Sequence, residues 1–149
     1  SNRMPMVWPE MTFEDQQVKF DPQIFEFVQR AIAVRRALPP LRLGFFRGVL
    51  CEDPRGVYAF AREHDGRHAY VVLNRSDQQR QVHVPVAGAN DGETFVDWLD
   101  PAQTRLTQSE TDRPAIEIKR DARGSAVTGG RVTITLKPFT TAVLTAKPK

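Results

Sequence analysis

The chain is poor in the residues that carry most chemistry. Its 149 residues include one cysteine, three histidines, two tryptophans and two tyrosines. A single cysteine, Cys51, excludes an internal disulfide. It leans toward a reducing compartment such as the cytoplasm without fixing the localisation. No apolar run approaches the ~20 residues that a membrane span needs. An excess of one charge is also missing, since 21 Lys and Arg stand against 18 Asp and Glu, a net +3. The two signs are interspersed, which disfavours a basic nucleic-acid face. There is no Gly-rich phosphate loop, because Gly129-Gly130 precedes a strand pattern and not a helix. Internal repeats and low-complexity segments are absent too.

What remains is an ordinary globular composition, 40% apolar and 26% charged. A chain of this length buries roughly 68–70% of its unfolded surface and needs no staples. Residues 1–20 show no period, and Pro5 and Pro9 break any helix there. Residues 21–38 predict a helix. Asp21 is placed to cap it, Pro22 suits its first position, and Pro39-Pro40 ends it. Ile24, Phe25, Val28, Ala31, Ile32 and Leu38 recur at helical spacing, widened by Phe27 and Val34. Arg30, Arg35 and Arg36 fall in the C-terminal half, where the helix dipole favours cations. A stripe this broad needs two neighbours, and a single sheet supplies one.

From Leu43 the period changes to two, with strands expected at 44–50, 57–63, 67–74, 80–86, 93–99, 103–107, 114–119, 131–137 and 139–146. Asp65-Gly66 signals a hairpin. Val82, Val84 and Val86 face one way and His83 and Pro85 the other; Pro85 puts that strand at an edge or ends it early. The stretch 109–130 is polar and reads as a long hairpin or mobile loop. The fold class is mainly β: an antiparallel sandwich of about eight strands preceded by one long amphipathic helix. A helix that cannot bury its own stripe, followed by an all-β domain, leads to the expectation that the chain is the tail of a larger enzyme.

Candidate chemistry is sparse. Carboxylates cluster at Glu10 with Glu14 or Asp15, at Glu52-Asp53, and at Glu63 with Asp65. The last two groups sit beside turns, where acidic residues serve solvation and turn geometry. His64 and His68 are four apart, but Asp65-Gly66 between them argues for a hairpin, and no third metal ligand follows. His83 has no identifiable partner. Cys51 reads as a small thiol packed in a core or loop. Trp8, Tyr58, Tyr70 and Trp98 offer faces for sugar stacking, with core packing as the plainer use.

Several runs resemble a known family. Arg3-Met4-Pro5-Met6-Val7-Trp8 resembles the segment after the last catalytic-barrel strand in the alpha-amylase family of glycoside hydrolases, in its cyclomaltodextrinase and neopullulanase branch. There an Asp-Pro pair, two variable residues, an Arg and a Pro-Met-x-Trp run are typical. Phe20-Asp21-Pro22 through Ala33-Val34-Arg35 to Leu41-Arg42 is similar to that family's final barrel helix. Val57 to Arg62 and Tyr70 to Ser76 resemble the first hairpin of its C-terminal domain. Val132 to Leu136, Pro138 and Ala142-Val143-Leu144 resemble its closing strands. Only 100–130 lies outside the likeness.

The resemblance implies residues 1–42 as the tail of a catalytic barrel and 43–149 as a C-terminal β-sandwich. The barrel strands bearing the nucleophilic Asp, the acid Glu and the stabilising Asp are not in this sequence. No catalytic residue, metal or cofactor is therefore assigned. Arg3 matches a substrate-binding arginine that lines a distal sugar subsite. The intact parent is expected to hydrolyse α-glucosidic bonds in maltodextrins, cyclodextrins or pullulan with retention, and the fragment alone to be inactive. Its partners would be the parent's barrel, α-glucan through that parent, and a second copy through the exposed helix face. Two other readings stay open: a stand-alone carbohydrate-binding module using the aromatics, and a small enzyme using Glu10, Asp15 or the histidines.

Overall fold

The structure is a computed structural model and describes residues 7–12, 19–108 and 113–148. Helix α1 spans Pro22–Ala37. The Asp21 carboxylate accepts from the amides of Gln23 at 2.8 Å and Ile24 at 3.2 Å, so the cap expected from sequence is in place. Leu38, the residue before a proline, is extended. Pro39-Pro40 does more than stop the helix: it opens a second short one, α2, Pro39–Leu43.

Among the described residues ten strands follow, one more than the nine expected: β1 Phe45–Glu52, β2 Val57–His64, β3 Arg67–Asn74, β4 Arg80–Pro85 and β5 Thr94–Asp97. Then come β6 Thr104–Gln108, β7 Pro114–Ile118, β8 Ser125–Thr128, β9 Arg131–Leu136 and β10 Thr140–Ala146. Eight form one antiparallel sheet in the order β1-β2-β3-β10-β5-β8-β9-β4, and β6-β7 form a separate hairpin. β10, last in the chain, lies between β3 and β5. β4 is the edge strand that Pro85 demands, and Pro85 is its final residue.

The sheet folds over on itself as a sandwich. Val57, Ala59, Tyr70, Val72 and Leu144 on one side pack against Val82, Val84, Val127 and Val132 on the other. The alternation read from sequence sorts these residues correctly, with His83, Arg131 and Thr133 outside. A second core lies on the outer face of the sheet, where Ala33, Val34 and Leu38 meet Ala69, Val96, Trp98, Ile116 and Val143. Asp65 and Gly66 both take positive φ, as the tightest hairpin turns require. Gly129 and Gly130 do the same between β8 and β9. Strand β8 lies inside the stretch read as a long hairpin or loop; residues 109–112 of that stretch lie outside the described residues.

Candidate functional site

The helix is fastened to the β domain by a buried cation. Arg30 shares a face of α1 with Ala33 and Val34, three and four residues on, and all three are buried. Its guanidinium donates to the Thr104 hydroxyl at 2.9 Å and pairs with Glu26 at 3.5 Å. Thr104 is buried as well, and its hydroxyl lies 3.1 Å from the carbonyls of Trp98 and Asp100. The Trp98 indole N–H donates to Thr145 Oγ1 at 2.8 Å. One line of hydrogen bonds therefore ties α1 to β6, to the turn after β5 and to β10. Of the three cations in the C-terminal half of α1, Arg30 is buried. Its spacing to Ala33 and Val34 was the signal that it turns inward.

The opposite face of α1 stays uncovered. Ile24, Val28 and Ile32 remain 63%, 46% and 48% exposed. Phe25 stands beside Phe20 at 5.3 Å between ring centres and edge-on to Trp8 at 6.4 Å. With Val28, Ile32 and Pro114 these rings line an open groove of about 730 Å³. Of the broad stripe read from sequence, Val34 and Leu38 are buried within the chain, while Ile24, Phe25, Phe27, Val28 and Ile32 stay exposed.

Asp97 is the one carboxylate with a strongly altered environment among the described residues. Burial pushes its pKa up to about 6, against the pull of the Val143 and Leu99 amides, which donate to Oδ1 at 2.9 and 3.0 Å; Asp100 nearby adds to the rise. A raised carboxyl pKa means that the folded state favours the protonated form. Asp97 therefore contributes its full stability below about pH 4, and that contribution is lost as pH rises toward 6. Asp97→Asn keeps an oxygen acceptor for both amides and cannot ionise. We expect its stability to match the parent chain near pH 4 and to exceed it above pH 7 by up to about 3 kcal/mol, at 1.36 kcal/mol per pKa unit. Urea melts of both chains at the two pH values check this, and an equal difference at both would refute it.

The other sequence candidates separate. Asp53 pairs with Arg75 at 2.6 Å and Glu52 with Arg55; Glu63 meets His68 at 3.2 Å and Asp65 meets His64 at 3.3 Å. Each sits beside a turn in a local ion pair or hydrogen bond, and no two of these carboxylates face each other across a cleft. Among the described residues no group of three His, Cys, Asp or Glu could hold a metal ion. His83 does have a partner, Thr133 directly across on β9, at 2.9 Å. Cys51 is not packed away: it is exposed on β1. Tyr70 and Trp98 are buried, Trp8 leans on α1, and Tyr58 keeps an open face at 37% exposure. Glu10 is exposed, while Glu14, Asp15 and Arg3 lie outside the described residues.

Comparison with known proteins gives a consistent answer. Residues 46–112 match the family described as Maltogenic Amylase, C-terminal domain. The chain is 32% identical over 110 residues to neopullulanase 2 of Thermoactinomyces vulgaris, a match covering 72% of this chain and 17% of that protein. Among solved structures it is similar to a cyclomaltodextrinase, with a TM-score of 0.61 and 21% identity over 90% of this chain and 19% of that one. It is also similar to the alpha-amylase of Geobacillus thermoleovorans, solved with acarbose, with a TM-score of 0.63 and 17% identity over 93% of this chain and 25% of that one. The chain thus spans about a sixth to a quarter of the length of these proteins. At such identities the solved structures speak for the fold, while the family match and the neopullulanase relative speak for descent. Together they show that this chain carries the C-terminal domain of an alpha-amylase-family enzyme, of the maltogenic-amylase and neopullulanase type.

Proposed function

We propose that this chain is the bracing end of an α-glucan hydrolase. In this reading residues 1–42 finish the catalytic barrel, α1 is its last helix, and residues 43–149 form the domain behind it. The whole enzyme cleaves α-glucosidic bonds in maltodextrins, cyclodextrins or pullulan with a carboxylate nucleophile and a carboxylic acid on its barrel strands. Arg3 lines a distal sugar subsite of that enzyme. The β domain covers one side of α1 and holds it in register through Arg30.

The observation that carries this reading is the uncovered stripe Ile24, Val28 and Ile32, opposite the face that Val34 and Arg30 bury. A barrel's outer helix presents one such stripe to the barrel strands. Left open, the stripe makes the isolated chain prone to pair with a second copy. We expect the purified chain to self-associate in sedimentation velocity, and Val28→Glu with Ile32→Glu to make it monomeric without lowering its melting temperature. A monomeric parent chain, or loss of folding in the variant, would count against the proposal.

A second reading has one observation in its favour: Tyr58 keeps an open ring face beside Phe60, 6.0 Å between centres. A sugar-binding module would give saturable heat with maltoheptaose, abolished by Tyr58→Ala. The bracing role predicts no such heat and no turnover of that sugar by the chain alone.

A further inference from the structure

We infer that Arg55 is a clasp across the seam between the two edge strands of the sheet, β1 and β4, and that it shuts β4 to a strand from a second copy of the chain. The clasp stands apart from the bracing role.

An open sheet ends in two rows of backbone groups without partners, a template for another chain. Here the two ends of the eight-stranded order are β1 and β4, and the fold-over brings them near each other. Arg55 stands at that seam. It closes a single helical turn, Asp53–Arg55, between β1 and β2, and Asp53 is tied in turn to Arg75. Its guanidinium reaches both edges at once. One terminal nitrogen pairs with the carboxylate of Glu52, the last residue of β1. The other donates to the Gln81 carbonyl of β4 at 2.9 Å. A planar fork holds two acceptors in this way, and an ammonium on a flexible stem does not.

The bond to Gln81 also shows how β4 is turned. In an antiparallel pair the N–H and C=O of one residue point to the same side. Gln81 therefore points both groups away from β9, as do His83 and Pro85, two and four residues on. The Val86 amide, in the opposite set, donates to the Gly130 carbonyl on the β9 side at 3.0 Å. Within the outward row Pro85 has no N–H to offer. The Gln81 carbonyl is taken by Arg55. Of the three residues only His83 keeps both backbone groups open, which is too little for a ladder.

A second β4 is the strand that suits this edge. Laid antiparallel about His83, it sets Gln81 of one copy against Pro85 of the other. The Gln81 amide then finds the Pro85 carbonyl, and the two His83 residues exchange both of their bonds. With Arg55 in place, its guanidinium lies on the outward side of Gln81, where that strand would arrive. β1 is protected differently: a shift in register between Gly48 and Leu50 breaks the regular row of its edge.

The test starts from the Val28→Glu with Ile32→Glu chain, so that pairing through α1 does not mask the edge. Adding Arg55→Ala should raise the apparent mass in sedimentation equilibrium toward twice that of the monomer as concentration rises. The His83 amide should gain hydrogen-exchange protection in step. Adding His83→Pro as well, which an edge position accepts, should restore the monomer. Arg55→Lys keeps the charge and gives up the fork; it should associate more weakly than Arg55→Ala, and it carries the test if Arg55→Ala does not fold. An Arg55→Ala chain that stays monomeric, or whose association survives His83→Pro, overturns the clasp. If the starting chain itself associates, the reading of α1 is at fault and the His83 amide still decides. Protection that appears there only on loss of Arg55 supports the clasp, and unchanged exchange refutes it.

Discussion

Trp98→Ala is expected to destabilise the chain by about 3–5 kcal/mol, the usual cost of deleting a large buried aromatic. Trp98 stands where the two halves of the molecule meet, buried with Val34 of α1 and Val143 of β10. Its indole N–H donates to Thr145, and its carbonyl receives the Thr104 hydroxyl that also accepts from Arg30. Truncation leaves a cavity between helix and sheet and takes from the Thr145 hydroxyl the donor it accepts from, leaving only its bond to the Ala146 carbonyl. Chemical denaturation of the variant should show a lower midpoint with an unchanged slope, as a two-state loss of stability does. Trp98→Phe should recover much of the loss, because the ring volume returns while the hydrogen bond does not. A near-neutral Trp98→Ala, or one that alters only sugar binding, would contradict the buried role assigned to this residue.

Gly124→Ala is expected to be comparably severe for a different reason. A Cβ at residue 124 would stand 2.0 Å from the Phe95 carbonyl oxygen and 2.6 Å from Thr94 Cγ2. A flexible side chain could turn aside, but the Phe95 carbonyl belongs to the backbone of β5 and cannot. The strand pairing Thr94 with Ala126 and Phe95 with Ser125 begins directly after this glycine. Relief therefore requires β5 and β8 to part, at a cost of about 3 kcal/mol or more, the upper end for overpacked sites. The amides of Lys147 and Val127, which donate to the Thr94 and Glu93 carbonyls, would lose hydrogen-exchange protection first. Unchanged protection there would mean that the approach is looser than the geometry describes.

Much of this architecture was legible because local signals and burial agree. Asp21-Pro22 and Pro39-Pro40 bound α1 to within a residue, and the two-residue alternation of Val82, Val84, Val132 and Leu136 sorts inside from outside. Strand β8 was missed because Ser125 to Thr128 is four residues long and carries one buried apolar side chain, Val127. Its one clear signal was Gly129-Gly130, a turn dipeptide that matters only once a strand is suspected on both sides. The burial of Arg30 was not read from sequence, because its charge drew an electrostatic argument where its position on the helix decided the matter. The four candidate aromatics could not be ranked from sequence, since whether a Tyr or Trp faces inward depends on strand pairs such as Ala61 with Tyr70. Cys51 escaped its expected packing for a related reason: β1 is an edge strand with a shift in register between Gly48 and Leu50.

The position of β10 between β3 and β5 sets a schedule for biogenesis. During translation β1, β2 and β3 can leave the ribosome and pair as a meander, and β8 and β9 can close as a hairpin. The two groups have no shared central strand until residues 140–146 are made. Until then the valine-rich faces of the two groups lack the strand that joins them in one sheet. A stop codon anywhere before residue 140 would leave those faces without the segment that unites them.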